Sequence, residues 1–299
     1  MLLMKHLLVD FSLLAHANLF TVKSQLAIGG YQLLKHVLIR AVLKNVNEFS
    51  PDRVYICFDG GSSWRKNISE TYKAQRKESR EKQDVSAGGD VNWSEFYRIL
   101  DELYNDFKTS FPFHAIKINS IEADDIIAYL VRTSPQDDEK IILTRDGDYI
   151  QLLQYPNTKI YNPVDRKWME SVNPIHDLQV KICMGDKSDN ILAIRPRMGI
   201  ATAEKFVESG ELDKMLEIAR KDIEQFGKTN DEMAKNYINN EKLIDMSKVP
   251  YTINNKIKME VDVTNPGNPA NLLKYFVTNG LRELVEDISK VRKTISSLS

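Results

Sequence analysis

Short apolar runs alternate with helix-like stretches through the first two-thirds of the chain, and this alternation narrows the available folds more than any other feature. The runs fall at 5–11, 53–58, 113–118, 140–144 and 159–161. Amphipathic stretches with three- and four-residue spacing lie between them, at 32–47, 93–108 and 122–132. Strands in alternation with helices predict βαβ units, hence an α/β fold whose mostly parallel sheet is flanked by helices. Beyond about residue 190 the strand signals fade, and 201–207, 212–226, 231–242 and 271–291 read as helices. The expectation is an α/β part over 1–190 and a smaller helical domain over 191–299. Ser86-Ala87-Gly88-Gly89 reads as a flexible joint, and 265–269 (NPGNP) as a turn-rich connector.

That topology gives meaning to the positions of the acidic residues. Asp10 and Asp59 end the first two runs, in LLVDF and YICFDG. Glu122, Asp124 and Asp125 open the helix after the third run, and Asp146 and Asp148 follow the fourth in TRDGD. Asp186 and Asp189 lie in GDKSDN, after another apolar helix. The carboxyl ends of parallel strands share one edge, where open α/β folds bind ligands, so these sequence-distant acids are expected to meet. Gathered carboxylates raise one another's pKa, and a hard divalent cation relieves the conflict. Oxygen-only donors beside a phosphate substrate suit Mg²⁺. Two such ions can activate a water and stabilise the leaving oxygen of a phosphodiester. Taken singly, each acid has a plainer reading, because an Asp after a strand is usually a turn former or helix cap. Five acidic sites, four of them just after strands, favour the metal reading.

Charge distribution separates the function classes further. With 41 basic and 42 acidic side chains the formal charge is −1, which excludes a histone-like coater of DNA. The charges are segregated instead: 64–82 (WRKNISETYKAQRKESREK) holds seven basic residues against three acidic ones. Tyr72, Lys73, Arg76 and Arg80 recur at helical spacing and can share a face, an arrangement suited to a nucleic-acid backbone and stacked bases. A solvated surface helix would have the same composition. The start of the segment five residues after Asp59 favours substrate handling. Cys57 and Cys183 are too few for a disulfide framework or zinc cluster and read as buried thiols of a cytoplasmic protein. Lys5, His6 and Asp10 interrupt the apolar amino terminus, which argues against a signal peptide. No apolar run reaches the roughly 18 residues of a membrane span.

The motifs VDF at 9–11, CFDG at 57–60, R…YK..R at 65–76, EADD at 122–125, TRDGD at 144–148 and GDKSDN at 185–190 follow one another in the order found in 5′-nucleases. Over nearly its whole length the chain resembles that family, which includes flap endonucleases and the 5′-nuclease domain of bacterial DNA polymerase I. Within it, YPNTKIYNP (155–163), Lys167-Trp168 and YFVTNGL (275–281) resemble the ribonuclease H branch of T-even bacteriophages. EADD, DGD and GDxSDN are specific in this order and weak alone. The resemblance implies a PIN-like catalytic domain, a helical arch at about 64–90, and a helix–hairpin–helix-like element in the carboxyl-terminal helical domain. It implies an inner metal set of Asp10, Asp59, Glu122, Asp124, Asp146 and Asp148, and an outer set of Asp125, Asp186 and Asp189. Two Mg²⁺ ions are expected there, with Mn²⁺ able to substitute. Arg65, Lys73 and Arg76 would stand at the arch base and offset charge on the scissile phosphate, with Lys73 the main electrostatic catalyst. No side chain is an obvious general base, so the attacking water is assigned to the metal. The family's hairpin carries Gly-Ile-Gly, a basic residue and Thr-Ala; here 197–203 reads RMGIATA, without the first glycine or the basic residue. Duplex contacts are therefore expected from the side chains of Arg195, Arg197 and Lys205 beside Gly199 and Thr202.

The expected activity is removal of RNA primers from RNA–DNA hybrids and of 5′ DNA flaps during phage replication, by a monomer acting on branched or RNA-primed duplex. A single-stranded-DNA-binding protein and a sliding clamp are the expected protein partners. Tyr275, Phe276 and Leu281 offer a docking surface, against the plainer reading that they pack in the core. Three rivals stand beside this reading. A toxin-like PIN ribonuclease needs fewer acids and no arch. A catalytically silent DNA-structure-binding protein would have lost an inner acid. A Mg²⁺-binding phosphatase leaves the basic segment unexplained.

Overall fold

The first apolar run becomes β1 (Lys5–Asp10), and a helix, α1 (Phe11–Phe49), begins at the next residue. In this computed structural model, which describes residues 3–85 and 91–298, α1 is two helical stretches meeting at Gly30, whose φ of 60° breaks the helical backbone. The chain continues through β2 (Arg53–Phe58), a 3₁₀ turn at Trp64–Asn67, α2 (Ala74–Gln83) and α3 (Trp93–Ser110). Next come β3 (His114–Lys117), α4 (Ala123–Thr133), β4 (Glu139–Leu143), a 3₁₀ segment at Gly147–Gln154, β5 (Thr158–Asn162) and β6 (Lys167–Met169). The rest is helical: α5 (Pro174–Met184), α6 (Ile200–Glu208), α7 (Glu211–Phe226), α8 (Glu232–Ile244), α9 (Tyr251–Val263), α10 (Leu272–Thr278), α11 (Arg282–Glu286) and α12 (Ile288–Ile295). The expected strands appear within one residue at either end. The antiparallel edge strand β6, the helix α9 and the amino-terminal half of α1 were not anticipated, and the helical stretch at 271–291 is divided into three short helices. The Ser86–Gly89 joint lies outside the described residues.

The sheet order is β3-β2-β1-β4-β5-β6, parallel from β3 to β5. β1 sits between β2 and β4, with Asp10 opposite Cys57 and Val9 opposite Leu143, so the carboxyl ends of three strands stand side by side. Buried residues on one face of the sheet pack against α1 and α3, including Phe11, Phe58, Phe107, Phe111 and Phe113. Burying each such ring contributes about 2–3 kcal/mol. The other face packs against α4 and α9, through Ile126, Ile127 and Ile257. A third core joins α5 to α6, α7 and α8.

The last helices return to the sheet. Leu272, Phe276, Leu281, Leu284, Val291 and Ile295 all belong to the first core. Phe276 and Leu281 are therefore core residues and not the docking surface considered for them, being 0% and 3% exposed. Tyr275 packs against that core and donates its hydroxyl to Asp106 at 2.7 Å. Both cysteines are buried free thiols. No described helix is long and apolar enough to cross a membrane.

Candidate active site

Two glycines allow the loops at the strand ends to come together. A Cβ on Gly60, just after β2, would collide with the carbonyl oxygen of Ile118, and Gly60 itself donates to Ile121 O at 2.8 Å. Gly185 has φ of 68°, and a Cβ there would meet the carbonyls of Ile191 and Leu192. The GDKSDN loop then closes by reciprocal bonds between Asp186 and Ile191, at 2.9 and 2.8 Å. These approaches bring five acidic segments around one cavity of about 400 Å³. Asp10, Asp59, Glu122, Asp124, Asp146, Asp148 and Asp189 line it.

The capping role open to single acids is real at three positions. Asp10 Oδ1 accepts from Leu13 N at the start of α1, Asp146 Oδ1 from Asp148 N, and Asp186 Oδ1 from Ser188 N. In Asp10 the other oxygen accepts from the Tyr149 hydroxyl at 3.1 Å. Asp59 Oδ1 accepts from Ala123 N, tying the end of β2 to the first turn of α4. The amino-terminal end of α4 also favours negative charge at Asp124 and Asp125 through the helix dipole.

Crowding sets the ionisation of the inner acids. Burial, then the charges of Asp59 and Asp146, raises Asp10 to about 7. Burial and neighbouring carboxylates likewise raise Asp124 and Asp146. Glu122 goes the other way: burial alone would raise it, but Lys73 and Arg65 hold it at about 2. The set thus contains carboxyls whose charge the protein leaves partly uncompensated. Among the described residues no basic side chain forms an ion pair with Asp10, Asp59 or Asp146. Oxygen donors with unbalanced negative charge, and no His or Cys within the two carboxylate groups, fit a hard divalent cation.

The basic segment faces these acids from the other side. Gln75, Arg76, Ser79, Arg80 and Gln83 lie on one face of α2 and line the cavity. Lys73, at φ 56° before α2, pairs with Glu122 and lies 3.6 Å from Asp189. Arg76 is 45% exposed and reaches Asp189 at 2.5 Å. Arg80 lies over the rings of Trp93 and Tyr97, at 5.8 and 5.7 Å.

Arg65 and Tyr72 are not where the sequence placed them. Arg65 was expected beside the scissile phosphate, yet it is 2% exposed and does not line the cavity. Its guanidinium binds both oxygens of Asp125, Glu122 at 2.8 Å, and Leu243 O on α8 at 2.9 Å. Asp125, expected as an outer metal ligand, is fully buried in that ion pair and accepts from Trp64 Nε1 at 2.7 Å, while a carboxylate oxygen of it still lies within 4.8 Å of Glu122 and Asp124. Tyr72 was expected on an exposed stacking face and is instead 2% exposed in the third core. Asp186 does not line the cavity and is paired with Lys181. Arg195, Arg197, Gly199, Thr202 and Lys205 are all exposed around the start of α6, none of them lining the cavity. Arg197 takes the left-handed φ of 61° at the place of the missing first glycine.

Residue-by-residue reading of the sequence missed several neighbours. Ser12 Oγ accepts from Asp59 N, Ser63 Oγ donates to Glu122, Tyr149 caps Asp10, and Lys181 pairs with Asp148. His16 lines the cavity three residues after Leu13, a helical spacing visible only once α1 is known to start at Phe11.

The family model described as "5′-3′ exonuclease, N-terminal resolvase-like domain" matches residues 5–185. The chain belongs to this family. A second model, the carboxyl-terminal domain of T4 RNase H, matches residues 173–291. Ribonuclease H of Enterobacteria phage T4 is 27% identical over 299 residues, spanning 95% of this chain and 94% of that protein. DNA polymerase I of Streptococcus pneumoniae is 26% identical, spanning 95% of this chain and 33% of the polymerase. Among solved structures, a bacteriophage T5 protein co-crystallised with metal ions superposes with a TM-score of 0.61 at 17% identity, covering 96% of this chain and 99% of that one. The T5 flap endonuclease in a complex with DNA and metal ions gives 0.58 at 16% identity, covering 97% and 99%. These two carry the fold alone. The mostly parallel sheet with flanking helices is the resolvase-like, PIN-like catalytic fold of the family, followed by a helical carboxyl-terminal region.

Proposed function

We propose that the chain is a Mg²⁺-dependent 5′-nuclease that removes RNA primers from RNA–DNA hybrids and trims 5′ DNA flaps during phage DNA replication. One observation carries this reading: acids from β1, β2, α4, β4 and the loop after α5 line a single cavity, faced by the cations of α2. In this reading residues 1–190 form the catalytic domain and 191–299 the helical domain that grips duplex DNA. The protein works in the cytoplasm, as a monomer, beside a single-stranded-DNA-binding protein and a sliding clamp.

Asp10, Asp59, Glu122, Asp124 and Asp146 would hold an inner Mg²⁺, with Asp125 beside Glu122 and Asp124, and Asp148, expected in the inner set, would join Asp186 and Asp189 at an outer one. When bound, the two ions would supply Lewis-acid charge to the phosphodiester and lower the pKa of water. The protein's own groups do the rest. Tyr149 and Thr144 orient Asp10 through its Oδ2, at 3.1 and 3.4 Å. Asp59 is fixed between Ser12 and Ala123 N. Lys73 is the preferred electrostatic group: it stands at the cavity wall, where a phosphate displacing its contact with Glu122 would receive its charge. Arg76 and Arg80 bind phosphate along the exposed side of α2. Arg65 acts from beneath as a positioning residue, holding Glu122 and Asp125 in place at the start of α4. Arg195, Arg197, Thr202 and Lys205, with the amide of Gly199 at the start of α6, contact the duplex backbone.

The test is incubation with a 5′-labelled flap and a 5′-labelled RNA-primed duplex in Mg²⁺, in Mn²⁺ and in chelator. Cleavage near the 5′ junction of both substrates, leaving 5′-phosphates and abolished by chelator, is the expected result. Binding of the flap without cleavage in either metal would point to the silent structure-binding alternative.

A further inference from the structure

We propose that Lys181 is a built-in competitor for the outer divalent cation, so that a second metal ion binds only by displacing its ammonium from Asp148 and Asp186. The inference rests on the metal-dependent reading above. Asp148, Asp186 and Asp189 offer carboxylate oxygens that all lie within 4.8 Å of one another. Lys181 projects from the last turn of α5 into this group, where Nζ contacts Asp148 Oδ1 and lies 3.2 Å from Asp186 Oδ2. The third member, Asp189, is held by Arg76 at 2.5 Å and Lys73 at 3.6 Å. Each of the three carboxylates thus already meets a side-chain cation, Lys181 or Arg76, with Lys73 shared between Asp189 and Glu122.

The inner group is built differently. Its Glu122 and Asp124 meet Arg65, and Glu122 also Lys73, but among the described residues neither Asp10, Asp59 nor Asp146 has an ion-pair partner. A first divalent ion there meets the uncompensated carboxylates of Asp10, Asp59 and Asp146, whereas a second at the outer group meets charge already matched by Lys181. An ammonium on a flexible four-carbon stem is suited to such exchange, since it can swing off without disturbing the backbone. Asp148 is the point of exchange, because it lines the cavity and also holds Lys181. The two sites should therefore fill in order, inner before outer, with a marked gap in affinity. Lys181 would set the metal concentration at which the second ion enters.

The experiment counts Mn²⁺ bound to the full chain by electron paramagnetic resonance of the free ion, in wild type and Lys181→Met. Wild type is expected to bind one ion tightly and a second more weakly. Lys181→Met should tighten the weaker site about tenfold, within the usual range of coupling between sites, and leave the tight one unchanged. Lys181→Gln, smaller and polar, should do the same, and far-UV circular dichroism establishes that each variant is folded. Loss or weakening of the second site in both folded variants would overturn the proposal, because Lys181 would then support the outer acids. Equal affinities in all three proteins would also overturn it. Absence of any Mn²⁺ binding in all three would overturn the metal reading beneath it.

Discussion

At the scale of single residues, the acids matter for how differently they are neutralised. Glu122 and Asp125 share the Arg65 guanidinium in the interior, whereas Asp10 and Asp146 both line the cavity and, among the described residues, neither forms an ion pair. Removing one partner of a buried pair leaves the other as an uncompensated charge, at a cost of about 3–5 kcal/mol. Arg65→Met should lower stability to urea by that amount. A loss below about 1 kcal/mol would mean that water enters and replaces the guanidinium. The motifs themselves were legible in the sequence, because acids at strand ends can be read from strand positions alone. What was not legible is which charge goes where. Arg65 and Arg76 sit eleven residues apart in one basic segment, and only the fold puts the first in the core and the second at the cavity. The left-handed backbone at Arg197 was equally hidden. The sequence departs there from the family's glycine while the chain keeps a glycine-like conformation, at the roughly 1–2 kcal/mol such a φ costs a side chain.

At the scale of elements, α2 decides how substrate meets the acids. Its apolar content is low, and what positions it is its tether: Lys73 N donates to Asp189 O at 3.0 Å, joining the helix start to the GDKSDN loop. One helical face then presents Arg76 and Arg80 to the cavity. If Arg76 contacts phosphate, Arg76→Ala should weaken flap binding similarly for all sequences. It should also make the slope of log K against log salt shallower by about 1. Weakened binding with an unchanged slope would assign Arg76 to holding Asp189 alone. Strands were legible because each is a compact apolar run between polar turns. Elements that bury little were not: β6 has only three residues, and in α9 only Ile257 is fully buried. The start of α1 was masked for the opposite reason, since the apolar residues of β1 run on into it and give no change of period at Asp10.

At the scale of the whole molecule, fold and chemistry oppose each other. The sheet gathers carboxylates that repel, so the metal-free protein carries an electrostatic load that depends on pH. The folded-state pKa of Asp10 is raised from 3.8 to about 7, so between those values the native state holds a proton that the unfolded chain has released. Stability of the metal-free protein should therefore fall as pH rises through that window, by a few kcal/mol. Glu122, lowered from 4.5 to about 2, acts in the opposite sense, and its contribution is lost only below about pH 4.5. A divalent ion that replaces the proton on Asp10 should raise the melting temperature more at pH 8 than at pH 5. Equal shifts at the two pH values, measured in Mg²⁺ against chelator, would contradict this. The return of α10, α11 and α12 to the first core belongs to this scale too. Helical periodicity gave their approximate place, but which surface they cover depends on contacts between chain ends more than two hundred residues apart, as in the pairing of Arg40 with Glu283.

Whether the converged acids perform the cleavage is decided by single-turnover hydrolysis of a 5′ flap at saturating protein, with Asp146→Asn compared to wild type in Mg²⁺. The variant should stay folded and bind the flap as well as wild type, while its cleavage rate falls by about 10³-fold or more. Cleavage by Asp146→Asn at the wild-type rate would contradict it and place the reaction away from the strand ends.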